Sequence, residues 1–217
     1  MAQVPTGTTI FVASVFASAL SFSAASNASE CVLTMASTTG LANGDFVEVS
    51  SGWGRLHLRA ARIKSVVLNA SITLEGMDTT STTFFPAGAG AGTVRKASTW
   101  QQITMITAVS SNGGDPVTVD YKYLESDVRY KMNDGFNGTG YTLTLDADAI
   151  STPGYTALRN LTDVQTNTVL RVVTRSGQIQ LIPGTVALNE SVQMNDGQIN
   201  TVTASISGNN RTTRYAS

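Results

Sequence analysis

Residues 185–208 read as two strands joined by a tight turn at Asn195-Asp196-Gly197. The second strand alternates Thr201, Thr203, Ser205 and Ser207 against Val202, Ala204 and Ile206. The first alternates Ala187, Asn189, Ser191 and Gln193 against Val186, Leu188, Val192 and Met194. A period of two puts one face on apolar matter and the other in water. The wet face is almost uncharged, whereas a solvent face usually carries Lys and Glu, which keep it soluble and block edge pairing. An uncharged polar face points to a surface that something slides past without sticking. Two residues disturb the pattern. Ile199 falls on the polar parity, and Glu190 on the apolar one, which predicts either a bulge or a basic partner on a neighbouring subunit.

Charged residues make up 13% of the 217-residue chain, about half the usual ~25%. Ser and Thr fill the gap, and Thr, Val and Ile favour strands. The 41% hydrophobic fraction is enough to build a core in one large domain or two small ones. A net charge of −1 argues against a dedicated grip on duplex DNA, which needs a basic surface. The single cysteine, Cys31, excludes an internal disulfide framework and a Cys-based zinc site. Residues 10–22 lack the positive flank of a signal peptide, and no window reaches the ~18 unbroken apolar residues of a membrane span, so membrane insertion is not expected.

Along the chain, residues 8–17 predict a first strand and 18–29 a small-residue linker. Residues 32–35, 45–50, 56–67 and 71–74 predict short strands broken by turns, which points to a small barrel of the SH3-like kind. That segment closes on Pro86 and on Gly88, Gly90 and Gly92, read as a hinge. Strands follow at 100–109, 117–124 and 141–146, with a long polar loop at 125–140. A loop of that length in a compact domain is usually functional or mobile. The one helix is expected from Pro153 to Leu161, with Ala157, Leu158 and Leu161 as its apolar stripe. Residues 168–174 and 178–182 form a hairpin through Ser176-Gly177. A polar tail runs from Asn209 to Ser217. The expected organisation is residues 1–26 and 97–217 as one domain, with 27–96 inserted.

No residue set carries catalysis. His57 is the only histidine, in a segment where Arg55, His57 and Arg59 would share one strand face, solvated or in contact with a partner. No Gly-x-Ser-x-Gly elbow occurs. Cys31 lacks a credible base and suits a small buried hydrophobe. Asp146 and Asp148 fit strand-end and helix-approach polarity better than a metal site. The glycines at 88, 90 and 92 lack the Gly-Lys-Ser/Thr ending of a phosphate loop. Neither an enzyme, a metal nor a cofactor is expected.

The order of elements resembles the tail tube (major tail) proteins of long-tailed bacteriophages. The likeness is carried by Thr8-Thr9-Ile10-Phe11-Val12, by Trp100 opening a strand, and by the long polar loop followed by Tyr141-Thr142-Leu143-Thr144-Leu145. It continues through Tyr155-Thr156-Ala157-Leu158, the hairpin Leu170-Arg171-Val172-Val173 with Gly177-Gln178-Ile179-Gln180-Leu181, and the long closing hairpin. Residues 38–45, 74–80 and 86–93 are similar to inserted segments of some of these proteins.

The resemblance implies a mainly β protein: a β-sandwich with one flanking α-helix, and a long hairpin that joins an inter-subunit barrel. It implies hexameric rings that self-assemble into a stacked tube, assembled in the host bacterial cytoplasm and carried in the virion tail. The lumen would hold the tape measure protein and then conduct double-stranded DNA during ejection. Tail terminator and baseplate-proximal proteins would meet the tube's ends. On this reading Asn189, Ser191, Gln193, Thr201, Thr203 and Ser205 face the lumen. Arg129, Lys131 and Asp134 on the polar loop make inter-ring contacts, and Arg55, His57 and Arg59 form an outer surface patch. The alternatives are an adhesin-like or carbohydrate-binding β-sandwich with an aromatic groove, and a related tail terminator or distal tail protein.

Overall fold

The structure, a computed structural model, describes residues 6–216. Residues 1–5 and Ser217, the ends of the expected first domain and polar tail, lie outside the described residues.

Strand β1 (Thr9–Phe16) buries Ile10, Val12 and Ala13. The stretch expected as a linker instead forms two short strands, β2 (Leu20–Phe22) and β3 (Ala24–Ala25). Small residues suit it to close packing there, and Asn27 anchors its end by donating to the carbonyls of Thr79 and Phe85, both at 2.9 Å. Strands β4 (Val32–Thr34), β5 (Phe46–Ser51), β6 (Arg59–Val67) and β7 (Ser71–Leu74) follow. They enclose a core of Cys31, Leu33, Val49, Trp53, Ile63, Leu74 and Phe85. Trp53 lies edge-on to Phe85 at 5.2 Å, and its indole N–H donates to the Pro86 carbonyl at 2.7 Å.

Strand β8 (Gly92–Ile103) runs unbroken through position 96, where a flexible joint is expected. Its first half pairs with β2 and β5, its second half with β1. The glycine run is therefore not a free hinge. A Cβ at Gly92 would stand 1.9 Å from the Ser50 carbonyl oxygen, so the residue is glycine because the β5 backbone passes too close for anything else.

Beyond β8 the expected strand 100–109 is broken, because Met105 takes a φ of +59°. Strand β9 (Ile106–Asn112) begins after it. Among the described residues, strands β10 (Pro116–Tyr121) and β11 (Tyr130–Phe136) pair only with each other. The polar "loop" is thus half of a two-stranded ribbon. Strand β12 (Gly140–Asp146) leads into a short 3-10 helix (Ala147–Ser151) and then α1 (Pro153–Val164). Thr152 caps α1 through its hydroxyl, which accepts from the Tyr155 N–H at 3.3 Å. Pro153 supplies the first turn, and the helix lays Tyr155, Ala157, Leu158 and Leu161 on the sheet.

Strand β13 (Thr168–Val173) pairs with the first half of β14 (Ile179–Gln193), while β15 (Thr201–Gly208) pairs with the second. β14 is one fifteen-residue strand where the sequence predicts two. The tail forms β16 (Thr213–Tyr215) on β14. It is also fastened across the molecule. Asn210 donates to the His57 carbonyl at 2.7 Å, Thr213 to the Ala60 carbonyl at 2.8 Å, and the Tyr215 hydroxyl accepts from the Arg62 N–H at 2.7 Å.

Every pairing is antiparallel, and one path orders the large sheet β3-β4-β7-β6-β5-β8-β1-β13-β14-β15-β12-β9. What the sequence reading expects as a sandwich is a single curled sheet. One core lies between α1 and strands β1 and β12–β15, including Val12, Leu143, Leu158, Leu170, Ile182 and Ala204. A seam of Ala13, Ala60, Ala97, Val169, Leu181 and Tyr215 joins the two larger cores.

Candidate assembly surfaces

The strand registers extend the uncharged face well beyond the closing hairpin. Asn189 lies opposite Thr203, Thr203 opposite Thr144, and Thr144 opposite Ala108. The next row is Ala187, Ser205, Thr142 and Ser110. These eight positions on four adjacent strands carry no charge. All are exposed or half-buried, while Leu188, Val202, Ala204, Leu143 and Leu145 between them are buried on the other side. The sequence reading found Asn189, Thr203 and Ser205 but not Thr142, Thr144, Ala108 or Ser110. The alternation of Thr142 and Thr144 against Leu143 and Leu145 was a usable signal, but which strand lay beside it was not.

The other three residues of that set sit at the projecting end. Gln193 lies opposite Thr201, and a register shift separates this pair from Asn189 and Thr203. Ser191 lies within the shift, its N–H donating to Asn189 Oδ1 at 3.0 Å. Glu190 is in the same bulge. Its carboxylate takes Arg159 at 2.6 Å and the Tyr155 hydroxyl at 3.1 Å, so its basic partner is on α1 of the same chain rather than on a neighbour. The Arg159 hydrogen bond holds the Glu190 carboxyl below the usual carboxylate range. Burial first, then the Glu190 carboxylate, pushes the Tyr155 hydroxyl up. Beyond the bulge Val192, Met194 and Ile199 are exposed at 41%, 73% and 57%, so the apolar side of the tip has nothing to pack on within one chain.

A second surface is the β10–β11 ribbon. Register puts Val119 opposite Met132 and Tyr121 opposite Tyr130. Tyr121, Tyr123 and Tyr130 form a cluster with ring centroids 5.5–6.0 Å apart. Every one of these side chains is exposed. Lys131, opposite Asp120, lies on the polar side; Asp134 sits in the bulge between the Thr118 and Val117 pairings, and Arg129 just precedes β11. No ion pair involves any of the three among the described residues.

The third set is not a strand face. Leu56 and His57 both donate to the Trp53 carbonyl at 2.9 Å, and Leu58 takes a φ of +53° before β6 begins. This compact turn replaces the expected strand and scatters the three residues. Arg55 stacks on the Phe84 ring at 3.3 Å. His57 Nδ1 lies 3.2 Å from the Ser50 hydroxyl. Arg59 turns inward, and burial pushes its guanidinium pKa down.

Asp146 caps the 3-10 helix, accepting from the Asp148 N–H at 3.0 Å, which accounts for the aspartate pair. Cys31 is buried, which pushes its thiol up. Among the described residues no three His, Cys, Asp or Glu side chains gather to hold a metal, and no helix is long and apolar enough to cross a membrane. Trp53 is buried in the second core, and Trp100 packs edge-on to Phe46 at the seam, so the tryptophans do not line an open groove.

Residues 51–217 match the sequence family described as phage tail tube protein. The chain belongs to that family. No curated protein matches it. As a phage tail tube protein it has a structural role and a place in the virion tail. The family match runs across residue 96, as β8 does, and takes in β6 and β7 together with the sheet from β8 onward.

Proposed function

We propose that this tail tube protein forms hexameric rings that stack into a hollow tube, with the uncharged face lining the bore. The observation that carries this reading is the pair of charge-free rows across β14, β15, β12 and β9. A basic bore would hold DNA through its phosphates and stall it, whereas hydroxyls and amides offer weak, exchangeable hydrogen bonds. Asn189, Ser191, Gln193, Thr201, Thr203 and Ser205, with Thr142 and Thr144, then meet the tape measure protein and later the genome.

Two further features support assembly. β9 ends the strand order, with its outer side unpaired among the described residues. An open edge invites a neighbour to continue the sheet. The ribbon β10–β11 leaves an apolar face bare, and a lone two-stranded hairpin is marginal in water. In the tube it packs on the adjacent ring, with Arg129, Lys131 and Asp134 on or near that contact. Residues 27–96 form the outer decoration, and terminator and baseplate-proximal proteins occupy the two ends. Rings assemble in the host cytoplasm.

Electron microscopy of the concentrated protein, with cysteines placed at Thr142 and Thr203, tests this. Hollow six-fold tubes in which both cysteines resist a bulky maleimide, while both react in the free monomer, are the expected result. Tubes with both positions freely labelled would overturn the lumen assignment.

A further inference from the structure

Where the base of the ribbon, β6 and the C-terminal segment converge, a cleft of about 420 Å³ is lined by Arg59, Arg211, Asn137, Thr139, Thr212 and Phe136 among others. Among the described residues its two guanidinium groups have no acidic partner. The five ion pairs among the described residues use Arg62, Lys64, Arg95, Lys96 and Arg159. Arg59 Nε is buried and has no acceptor. Arg211 is held in place from both sides. Its N–H donates to the Asn210 side chain at 2.7 Å, and its guanidinium lies 4.2 Å over the Phe136 ring.

We propose that this cleft is an oxyanion-binding site, taking a free phosphate or a carboxylate group between Arg59 and Arg211. Arg59, its Nε buried and the exposed Arg211 guanidinium beside it, loses hydration and is repelled by a second cation, a cost that an intervening anion offsets. The planar guanidinium fork matches phosphate and carboxylate oxygens. The Asn137 amide and the Thr139 and Thr212 hydroxyls add neutral polar groups at the rim. Burial first, and the neighbouring Arg211 second, disfavour the charged form of Arg59, while no carboxylate acts on it. The cleft adjoins the ends of β10 and β11, so the bound anion would fix the ribbon's base against the body of the subunit.

The test follows the Arg59 Nε–H resonance of the full chain as inorganic phosphate or acetate is added, with chloride at matched ionic strength as reference. The expected result is a saturable shift of that signal in phosphate, acetate or both, absent in chloride. In the Arg211→Ala variant, whose exposed side chain is removable without disturbing a core, affinity should fall about tenfold or more. A stronger response to phosphate identifies a free phosphate as the natural occupant, and one to acetate a protein carboxylate. An Arg59 signal that ignores both anions, or shifts equally in chloride, or responds unchanged in Arg211→Ala, overturns the proposal.

Discussion

Arg159 on the helix grips Glu190 in the bulge of the closing hairpin, Nη2 to Oε1 at 2.6 Å, with the Tyr155 hydroxyl as a second donor. The pair is solvent-accessible, so it orients the hairpin more than it stabilises the subunit. Glu190→Gln should leave the melting temperature nearly unchanged and speed amide exchange across residues 189–193. Because the folded-state pKa of Glu190 is depressed, the tether is in force above the unfolded value near 4.5 and is lost as pH falls through the lower folded value. Protection factors, the exchange rates corrected for their intrinsic pH dependence, should therefore fall only on the acid side.

The C-terminal segment closes the seam. Tyr215→Phe removes the oxygen that accepts the Arg62 N–H at 2.7 Å and leaves that donor without its partner. A buried unpaired donor costs about 1–3 kcal/mol. Urea denaturation should show a loss of that order, and an unchanged midpoint would mean the bond contributes nothing.

Gly154 lies in the first turn of α1, where a Cβ would stand 2.3 Å from the Gln102 carbonyl oxygen. Alanine favours a helix elsewhere, but here it pushes the helix off β8. Overpacking of this kind costs about 1–3 kcal/mol. Gly154→Ala should lower the melting temperature of the monomer, opposite to the direction that helix propensity alone predicts.

Replacing Tyr121 and Tyr130 together by Ser acts on the ribbon's bare face, so the monomer should fold and melt as before. Tube formation should fail if that face meets the adjacent ring. Light scattering during concentration, followed by microscopy, reads the outcome; normal tubes would remove the ribbon from the inter-ring contact.

A charge on the uncharged rows should separate building from conducting. Thr203→Arg places a guanidinium on an accessible position, so rings should still form. Genome release from reconstituted virions should slow, and more so at low salt, because phosphate contacts weaken as salt rises. Release at the normal rate at every salt concentration would count against the lumen placement.

Elements with dense local signals were legible in the sequence: β7 at Ser71–Leu74, β12 with its alternating threonines, α1 from Pro153, and the hairpin turned by Ser176-Gly177. The ribbon was half missed. Tyr130 and Met132 alternate with Lys131 and Asn133, but Asp134-Gly135, a bulge in fact, reads as a turn. β16 is three residues long and is fixed by bonds to Ala60 and Arg62, about 150 positions away, which no local pattern encodes. The turn at residues 53–58 was lost because Leu56 and Leu58 mimic a strand's alternation, while hydrogen bonds to the Trp53 carbonyl and the left-handed Leu58 decide otherwise. The uncharged face was seen on two strands and is four strands wide, since register between distant strands is a property of the fold alone.

β8 has a mechanical meaning. Its twelve residues belong at one end to the sheet around Trp53 and at the other to the sheet that carries β1. A tug on either end is therefore conveyed along a peptide backbone braced by ladders on both flanks, with no slack joint to absorb it. Load applied at the Trp53 end is felt at the β1 end.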